Sequence, residues 1–464
     1  MDYDVLILGG GLIGCAVAYE LSKYNLNIAV IEKDYDIADD VASINTSIVN
    51  DGIGGSNDLM ARLQIMGNSM FDGITKKFNV PFRRIGSLLI ANSDEKTEKL
   101  REIYNRAIKR GVKDIELIEG PRAIAMEPKL NSDVKLAIYS KSTGIVCPYD
   151  LALAYGEIAF DNGVSFRFQE EVLDIQKISK GLRVTTNKNK FTCKVVVNTT
   201  PGENYKIEKE IKTSNNKEVL SSFLLDNSYK KYFNHVIFSM EENDEKSYIL
   251  PTFNETITGA YIGEKYLDLN ETVDKISKWV NDIDTESITN MYNGLFYKDM
   301  VIIDDNEMDN KGYIKITGNH NSEVTITPAI SAMICETIVN NLKCKEKKDF
   351  IDKRRDIYKF KNLTNEERNE LIKLDKRYAN IICLCNEITE AEIIDSIRRP
   401  LGARTVEGVK RRTGVSFGDC QGAYCLSRII SILARETGKR INDIVKDSKD
   451  SKMVLNRIKE FDEM

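Results

Sequence analysis

DVLILGGGLIG, residues 4–14, is the stretch that decides the fold. It belongs to an apolar run, YDVLIL at 3–8, that ends in Gly9, Gly10 and Gly11 and is followed by a helix-like CAVAYELSKY and a second apolar run, NIAVIEKD. Strand, turn, helix and strand in that order read as a βαβ unit. Gly9, Gly11 and Gly14 fill GxGxxG: the first permits a tight turn, the second lets backbone approach a pyrophosphate, and the third lets helix and strand pack closely. Glu32 follows at the end of the next strand, where an acid can accept hydrogen bonds from ribose hydroxyls. A bound dinucleotide is expected, and the motif alone leaves FAD and NAD both open.

At 464 residues the chain exceeds one ordinary core, so two or three domains are expected. Its 66 basic against 71 acidic side chains leave a net charge of -5, which argues against a general nucleic-acid binder. The first strand starts at Tyr3 with no charged leader before it, and no run of eighteen apolar residues follows, so no transmembrane segment is expected. The expectation is a cytoplasmic protein, peripheral to a membrane only through a partner. Residues 94–112 read as an exposed charged helix, and 163–200 as a meander of antiparallel strands. A helix is expected from Thr327 and Pro328, and the polar stretch after residue 343 reads as a linker.

Nine cysteines in a reducing compartment are thiols or ligands rather than disulfides. Cys15, Cys147, Cys193, Cys335 and Cys344 are scattered singly and read as small buried hydrophobes. Cys383 and Cys385 in CLC and Cys420 and Cys425 in CQGAYC are different: two close pairs can gather four thiolates around a tetrahedral metal or an iron–sulfur cluster. Arg398, Arg399, Arg404, Lys410, Arg411 and Arg412 lie between the pairs. They read as cations stabilising an anionic cluster, as a solvated helix face, or as a surface for an acidic partner or the adjoining domain.

DDVASINTSIVNDG, FNVPFRRIGSLLIA and STGIVCPYDLALAYGEIAFDNGVSF together resemble the FAD-dependent D-amino-acid oxidase-like family, closest to its anaerobic glycerol-3-phosphate dehydrogenase large-subunit-like branch. Residues 379–445 resemble the bacterioferritin-associated-ferredoxin-like [2Fe-2S] domain of that branch. The resemblance implies FAD at the first site and a [2Fe-2S] cluster on Cys383, Cys385, Cys420 and Cys425. By position it assigns Gly9, Gly11, Gly14 and Glu32 to the pyrophosphate and ribose, and Val172 to the adenine. Asn45, Thr46, Gly318 and Thr325 it assigns to the surroundings of the flavin. A helix start against the flavin ring would stabilise negative charge there.

The chain also departs from the branch. Asn50 stands where a histidine is usual and Glu323 where a glycine is usual; Thr199, Thr200 and Pro201 alter the NAAG-like segment. In NGLFYKDMVIIDD, where a substrate-binding arginine is common nearby, only Lys298 is cationic. The chain has two histidines, His235 and His320, and both are catalytic candidates, with Tyr248 behind them.

The expected class is α/β: a doubly wound FAD-binding domain with an inserted mixed-sheet substrate domain, plus a small C-terminal helical [2Fe-2S] domain. The FAD-binding parts are placed at about 1–75, 145–205 and 311–345, and the substrate part at about 76–144 and 206–310. A linker (346–378), the cluster domain (379–445) and a charged tail (446–464) follow. The expected function is oxidation of a small hydroxylated substrate, glycerol 3-phosphate or a 2-hydroxy acid, with electrons leaving through the cluster to a redox partner. The alternative is a non-catalytic electron-transfer or scaffold subunit.

Overall fold

The computed structural model describes residues 1–39, 46–55, 57–201, 205–207, 217–241, 245–253, 256–297, 301–304, 312–317, 320–418 and 420–455. Asn45, Gly318 and Lys298 lie outside the described residues.

The strand Tyr3–Leu8 is apolar on both faces because it lies inside a sheet covered on both sides. It runs parallel to Ile28–Ile31 on one side and Lys190–Asn198 on the other. Lys190–Asn198 is shared along its length. Its first half pairs antiparallel with Gly181–Thr186 and its second half parallel with Gly312–Thr317. One face of the sheet is covered by the helices Leu12–Ser22, Pro148–Asp161 and Glu323–Leu342 around Val5, Ile7, Val30 and Val197. The other face packs Leu6, Leu8 and Ile31 on Ile175, Leu182 and Val184 of the antiparallel ribbon. The meander expected from residue 163 starts only at Val172. Ser165–Arg167, fed by the helix before it, joins the sheet parallel to Ile28–Ile31 instead, as a crossover connection requires.

The second sheet has eight strands and is antiparallel except where Val236–Met240 runs parallel to Ser87–Ala91. Alternation along its strands separates two faces. The outer face packs Ile237, Ile249, Phe223 and Trp279 under the helix Leu269–Ser277. The inner face sets Val236, Tyr248, Leu250 and Phe296 against Ile48 and Ile145. Those two belong to a three-stranded sheet that links the large sheets.

The helix expected from Thr327 begins at Glu323 and carries Pro328 in its interior. The Thr-Pro pair mimics a helix start, but Thr327 hydroxyl donates to the Glu323 carbonyl from inside the helix. This helix lies against Asp58–Phe78, where a Cβ on Gly67 would stand 1.8 Å from the Thr325 carbonyl oxygen. Only glycine allows that approach.

The expected linker begins as a strap laid against the first domain. Tyr19 hydroxyl donates to Asp352, and buried Arg354 binds Asp150 and Glu157. The C-terminal unit closes around Ile393, Ile397, Val409, Ile429 and Leu433 from the helices Glu390–Arg398, Val406–Thr413 and Leu426–Thr437. Among the described residues, no helix is long and apolar enough to cross a membrane.

Candidate functional site

The glycine turn is complete in itself. Gly9 takes φ +95°, and a Cβ on Gly14 would stand 2.0 Å from the Gly9 carbonyl oxygen, so both positions demand glycine. At Gly11 the same test meets nothing within 4 Å. The backbone there faces open space at the start of a helix with no side-chain cap and no acidic residue in its first turn. That is the local condition for an anion such as a pyrophosphate. Glu32 accepts from Gly10 N–H (2.7 Å) and Asp34 N–H (2.9 Å), so its carboxylate stands against the turn where an acid can meet ribose hydroxyls. Val172 opens the ribbon two residues after Glu170, whose N–H donates to the Glu32 carbonyl. Thr199 and Thr200 do not obstruct this turn: their hydroxyls donate to the Leu8 carbonyl and to Asn198 Oδ1.

The second group lies around the start of the Glu323–Leu342 helix. Thr46 hydroxyl donates to the Asn321 carbonyl, and Thr325 hydroxyl accepts from Asn50 N–H at 2.8 Å. Asn50 Nδ2 and Gln64 Nε2 both reach Ser322 Oγ, at 3.3 and 3.0 Å. Thus Asn50 ties the 46–50 segment to the helix start. His320 is buried beside them, and its Nδ1 accepts from Ser322 N–H at 3.0 Å. With Nδ1 an acceptor, the neutral imidazole carries its proton on Nε2.

His235 is not brought to this group. Its Nδ1 and backbone N–H both bond Glu127 Oε1, at 2.6 and 2.8 Å, and its ring meets Tyr139 edge-on. Tyr139 packs with the outer face of the eight-stranded sheet, whereas the neighbouring Val236 points inward. The one-residue alternation thus sets His235 apart from the His320 group, on the side of Glu127 and Tyr139. Tyr248 does lie on the inner face, and burial pushes its phenol above the usual value.

The inner face also holds a residue that the sequence reading missed. Arg83 stands opposite Ile145, which stands opposite Ile48, so the three side chains share a face. Two interstrand spacings put its backbone about 10 Å from Ile48. Arg83 Nη2 donates to the Thr252 carbonyl at 2.6 Å, and its guanidinium lies 5.3 Å from the Phe253 ring centre. Among the described residues its buried Nε has no hydrogen-bond partner. In the sequence FRRIG, nothing separates Arg83 from Arg84, which turns away to bind Asp72; only strand register does.

The four C-terminal cysteines meet as two pairs. Cys385 and Cys420 sulfurs are 3.5 Å apart, and Cys425 contacts Cys383. Among the described residues, no three His, Cys, Asp or Glu side chains gather closely enough to hold one metal ion. Paired thiols suit a cluster in which each of two irons takes two thiolates. The Cys385 thiol holds that of Cys420 below its ordinary value, while burial pushes Cys425 up. A Cβ on Gly418 would stand 2.2 Å from Cys385 Cβ, so the two ligand loops touch through a glycine. Leu384, Phe417 and Tyr424 are exposed around the outer pair.

The six basic residues do not form a field around the thiols. Arg398 binds Glu436, Lys410 binds Glu407, and Arg404 donates to carbonyls. Arg399, Arg411 and Arg412 reach the first domain at Glu157, Asp39 and Asp36. Spacing placed them near the cysteines, but carboxylates on both sides claim five of them and backbone carbonyls claim Arg404.

The profile of the FAD dependent oxidoreductase family matches residues 4–337, and that of the BFD-like [2Fe-2S] binding domain matches residues 381–435. The chain is 36% identical to glycerol 3-phosphate dehydrogenase of Caloramator mitchellensis over 97% of both chains. It is 32% identical to mitochondrial L-2-hydroxyglutarate dehydrogenase of Dictyostelium discoideum, over 33% of this chain and 35% of that one. Its fold is similar to that of dithionite-reduced L-alpha-glycerophosphate oxidase from Mycoplasma pneumoniae with FAD bound. The TM-score is 0.67 at 19% identity, over 77% of this chain and 99% of that chain. This chain therefore belongs to the FAD dependent oxidoreductases, as a flavoenzyme that carries a [2Fe-2S] domain at its C-terminal side.

Proposed function

We propose that the protein is a dehydrogenase for a small anionic hydroxylated substrate, glycerol 3-phosphate first, and that its electrons pass through the [2Fe-2S] cluster to an acceptor protein. The observation that carries this reading is the likeness to a glycerol 3-phosphate dehydrogenase across 97% of the chain, both cofactor regions included. Arg83, a cation on the inner face whose Nε has no partner among the described residues, supports the anionic substrate. Bound FAD supplies a two-electron acceptor and the cluster a one-electron outlet.

In this reading Gly9, Gly11 and Gly14 hold the pyrophosphate, Glu32 takes the ribose hydroxyls and Val172 borders the adenine. Thr46 and Thr325 border the flavin. Arg83 anchors the substrate phosphate or carboxylate. His320, buried beside Ser322 and Asn50, is the candidate catalytic histidine of this group. Asn50 fixes the helix start against the 46–50 segment. The exposed Leu384, Phe417 and Tyr424 around Cys385 mark where the acceptor docks.

Anaerobic titration tests the reading. Glycerol 3-phosphate should bleach the flavin and uncharged glycerol should not; L-2-hydroxyglutarate and glycine complete the panel. The Arg83→Ala variant should need about 10- to 100-fold more glycerol 3-phosphate, the worth of a charge-assisted hydrogen bond. If nothing in the panel bleaches the flavin, the scaffold alternative takes its place. Equal bleaching by glycerol would remove Arg83 from the substrate site.

A further inference from the structure

Arg412 reaches from the cluster domain into the floor of the nucleotide site. Its two terminal nitrogens bond the two oxygens of Asp36 at 2.6 and 2.7 Å, and also meet Tyr149 hydroxyl and the Leu401 carbonyl. The side chains of the pair are 5% and 2% exposed. The helix Val406–Thr413 approaches so closely that a Cβ on Gly408 would stand 2.7 Å from Asp36 Oδ2. Leu401, from the same domain, joins the core of the first domain and packs with Ile37 on Gly156.

Asp36 lies in the segment that closes over the glycine turn. Glu32 at its beginning accepts from Gly10 N–H, and Ala38 at its end donates to the Gly10 carbonyl at 2.9 Å. Asp36 itself accepts from Ile37 N–H through Oδ1. Moving Asp36 therefore moves the two contacts that the 32–38 segment makes with Gly10. Toward the other side, the helix bearing Arg412 ends at Gly414, and two residues later Ser416 Oγ lies 3.1 Å from the sulfur of Cys425. Four residues of chain thus connect the Asp36 clamp to a cluster-bearing cysteine.

We propose that Arg412 is a positioning residue of the FAD site. By clamping Asp36 it holds the Glu32 segment over Gly10, so the protein retains FAD tightly only while the C-terminal domain is folded on its cluster. This inference rests on FAD and the cluster being bound, not on which substrate is oxidised, so the flavin-bleaching panel and the test below fail independently.

The readout is the FAD dissociation constant of the full-length protein, from quenching of flavin fluorescence on titration into the deflavinated form. Arg412→Lys and Asp36→Asn should each weaken FAD about tenfold, within the usual range of coupling between sites. The double variant should be no weaker than either single one, because both break one contact. Anaerobic chelation of iron from the unsubstituted protein needs no variant and should weaken FAD by a similar factor, with little further loss in Arg412→Lys. A merely structural staple would lower the unfolding midpoint of the flavin-free protein yet leave the dissociation constant within twofold of the parent, and that result overturns the proposal. An unchanged constant after loss of iron overturns its dependence on the cluster.

Discussion

The glycine turn and the cysteine loops are built by opposite means. Around the turn, Gly9 N–H meets the Ile31 carbonyl, Gly10 N–H meets Glu32, and the strand before it is almost wholly buried. The cysteine loop instead runs through left-handed backbone at Ser416 (φ 68°) and Gln421 (φ 46°) as well as at Gly414 and Gly422. Each of the two non-glycine residues there costs on the order of 1 kcal/mol. Its thiols stay apart as pairs, two buried and two at or near the surface. One site is built on glycine and hydrogen bonds, with a single left-handed non-glycine residue, Ala38 (φ 58°), in the 32–38 segment that bonds Gly10. The other is held in a costly shape that iron–thiolate bonding offsets.

The sharpest test of that contrast is at Gly14. Gly14→Ala drives a methyl group to 2.0 Å from the Gly9 carbonyl oxygen, so the turn must open. At an overpacking cost of about 3 kcal/mol, FAD binding should weaken roughly 100-fold. The FAD dissociation constant measures this, while iron content should stay at its parent value. Retention of parent affinity would mean that the turn is not the pyrophosphate site.

Removing each cofactor in turn gives the next largest effect. Without iron, amide protection over residues 413–425 should fall by roughly tenfold or more, as the strained loop relaxes by about 1–2 kcal/mol. Without FAD, the amides of residues 9–14 should keep most of their protection. Hydrogen exchange on the two depleted forms decides. Equal loosening at both sites would erase the distinction.

The same contrast explains what could be read in the sequence. The turn was legible because its needs are local: Gly9, Gly14 and Glu32 act through chain neighbours and one adjoining strand. The cysteines were legible because CLC and CQGAYC state a ligand set, whatever the loops between them do. Arg83 was not, since only the register Arg83–Ile145–Ile48 reveals which face it takes. The direction His235 takes was hidden for the same reason: it stands beside an inward-pointing strand residue and bonds Glu127. The Thr327-Pro328 pair matched a helix start, but Ser322 and Glu323 begin the helix one turn earlier. The basic residues of the C-terminal domain needed partners more than thirty residues away in every case that joins the domains.

Between the two cofactor regions stands Glu157, and it gives the smallest but most specific prediction. It is 2% exposed and receives Arg354 of the strap at 2.7 Å and Arg399 of the cluster domain at 3.3 Å, so one carboxylate ties three segments. Asp150 and Asp395 hold those arginines from the other side. Burial opposes ionisation, but the two guanidiniums prevail and hold the Glu157 carboxyl below its ordinary 4.5. A depressed carboxyl contributes stability that is present above its unfolded value and lost as pH falls through the folded one. Docking of the cluster domain should therefore weaken only below about pH 4.5, and near-neutral pH should leave it unchanged. Glu157→Gln should remove this acid sensitivity and cost about 1 kcal/mol at pH 7, since each arginine keeps its second carboxylate. Limited proteolysis of residues 355–380 across pH 3.5–7 reads the joint directly. An acid response identical in the parent and in Glu157→Gln would assign it to other carboxylates, and the two cofactor regions would then be joined chiefly through Arg412 and Asp36.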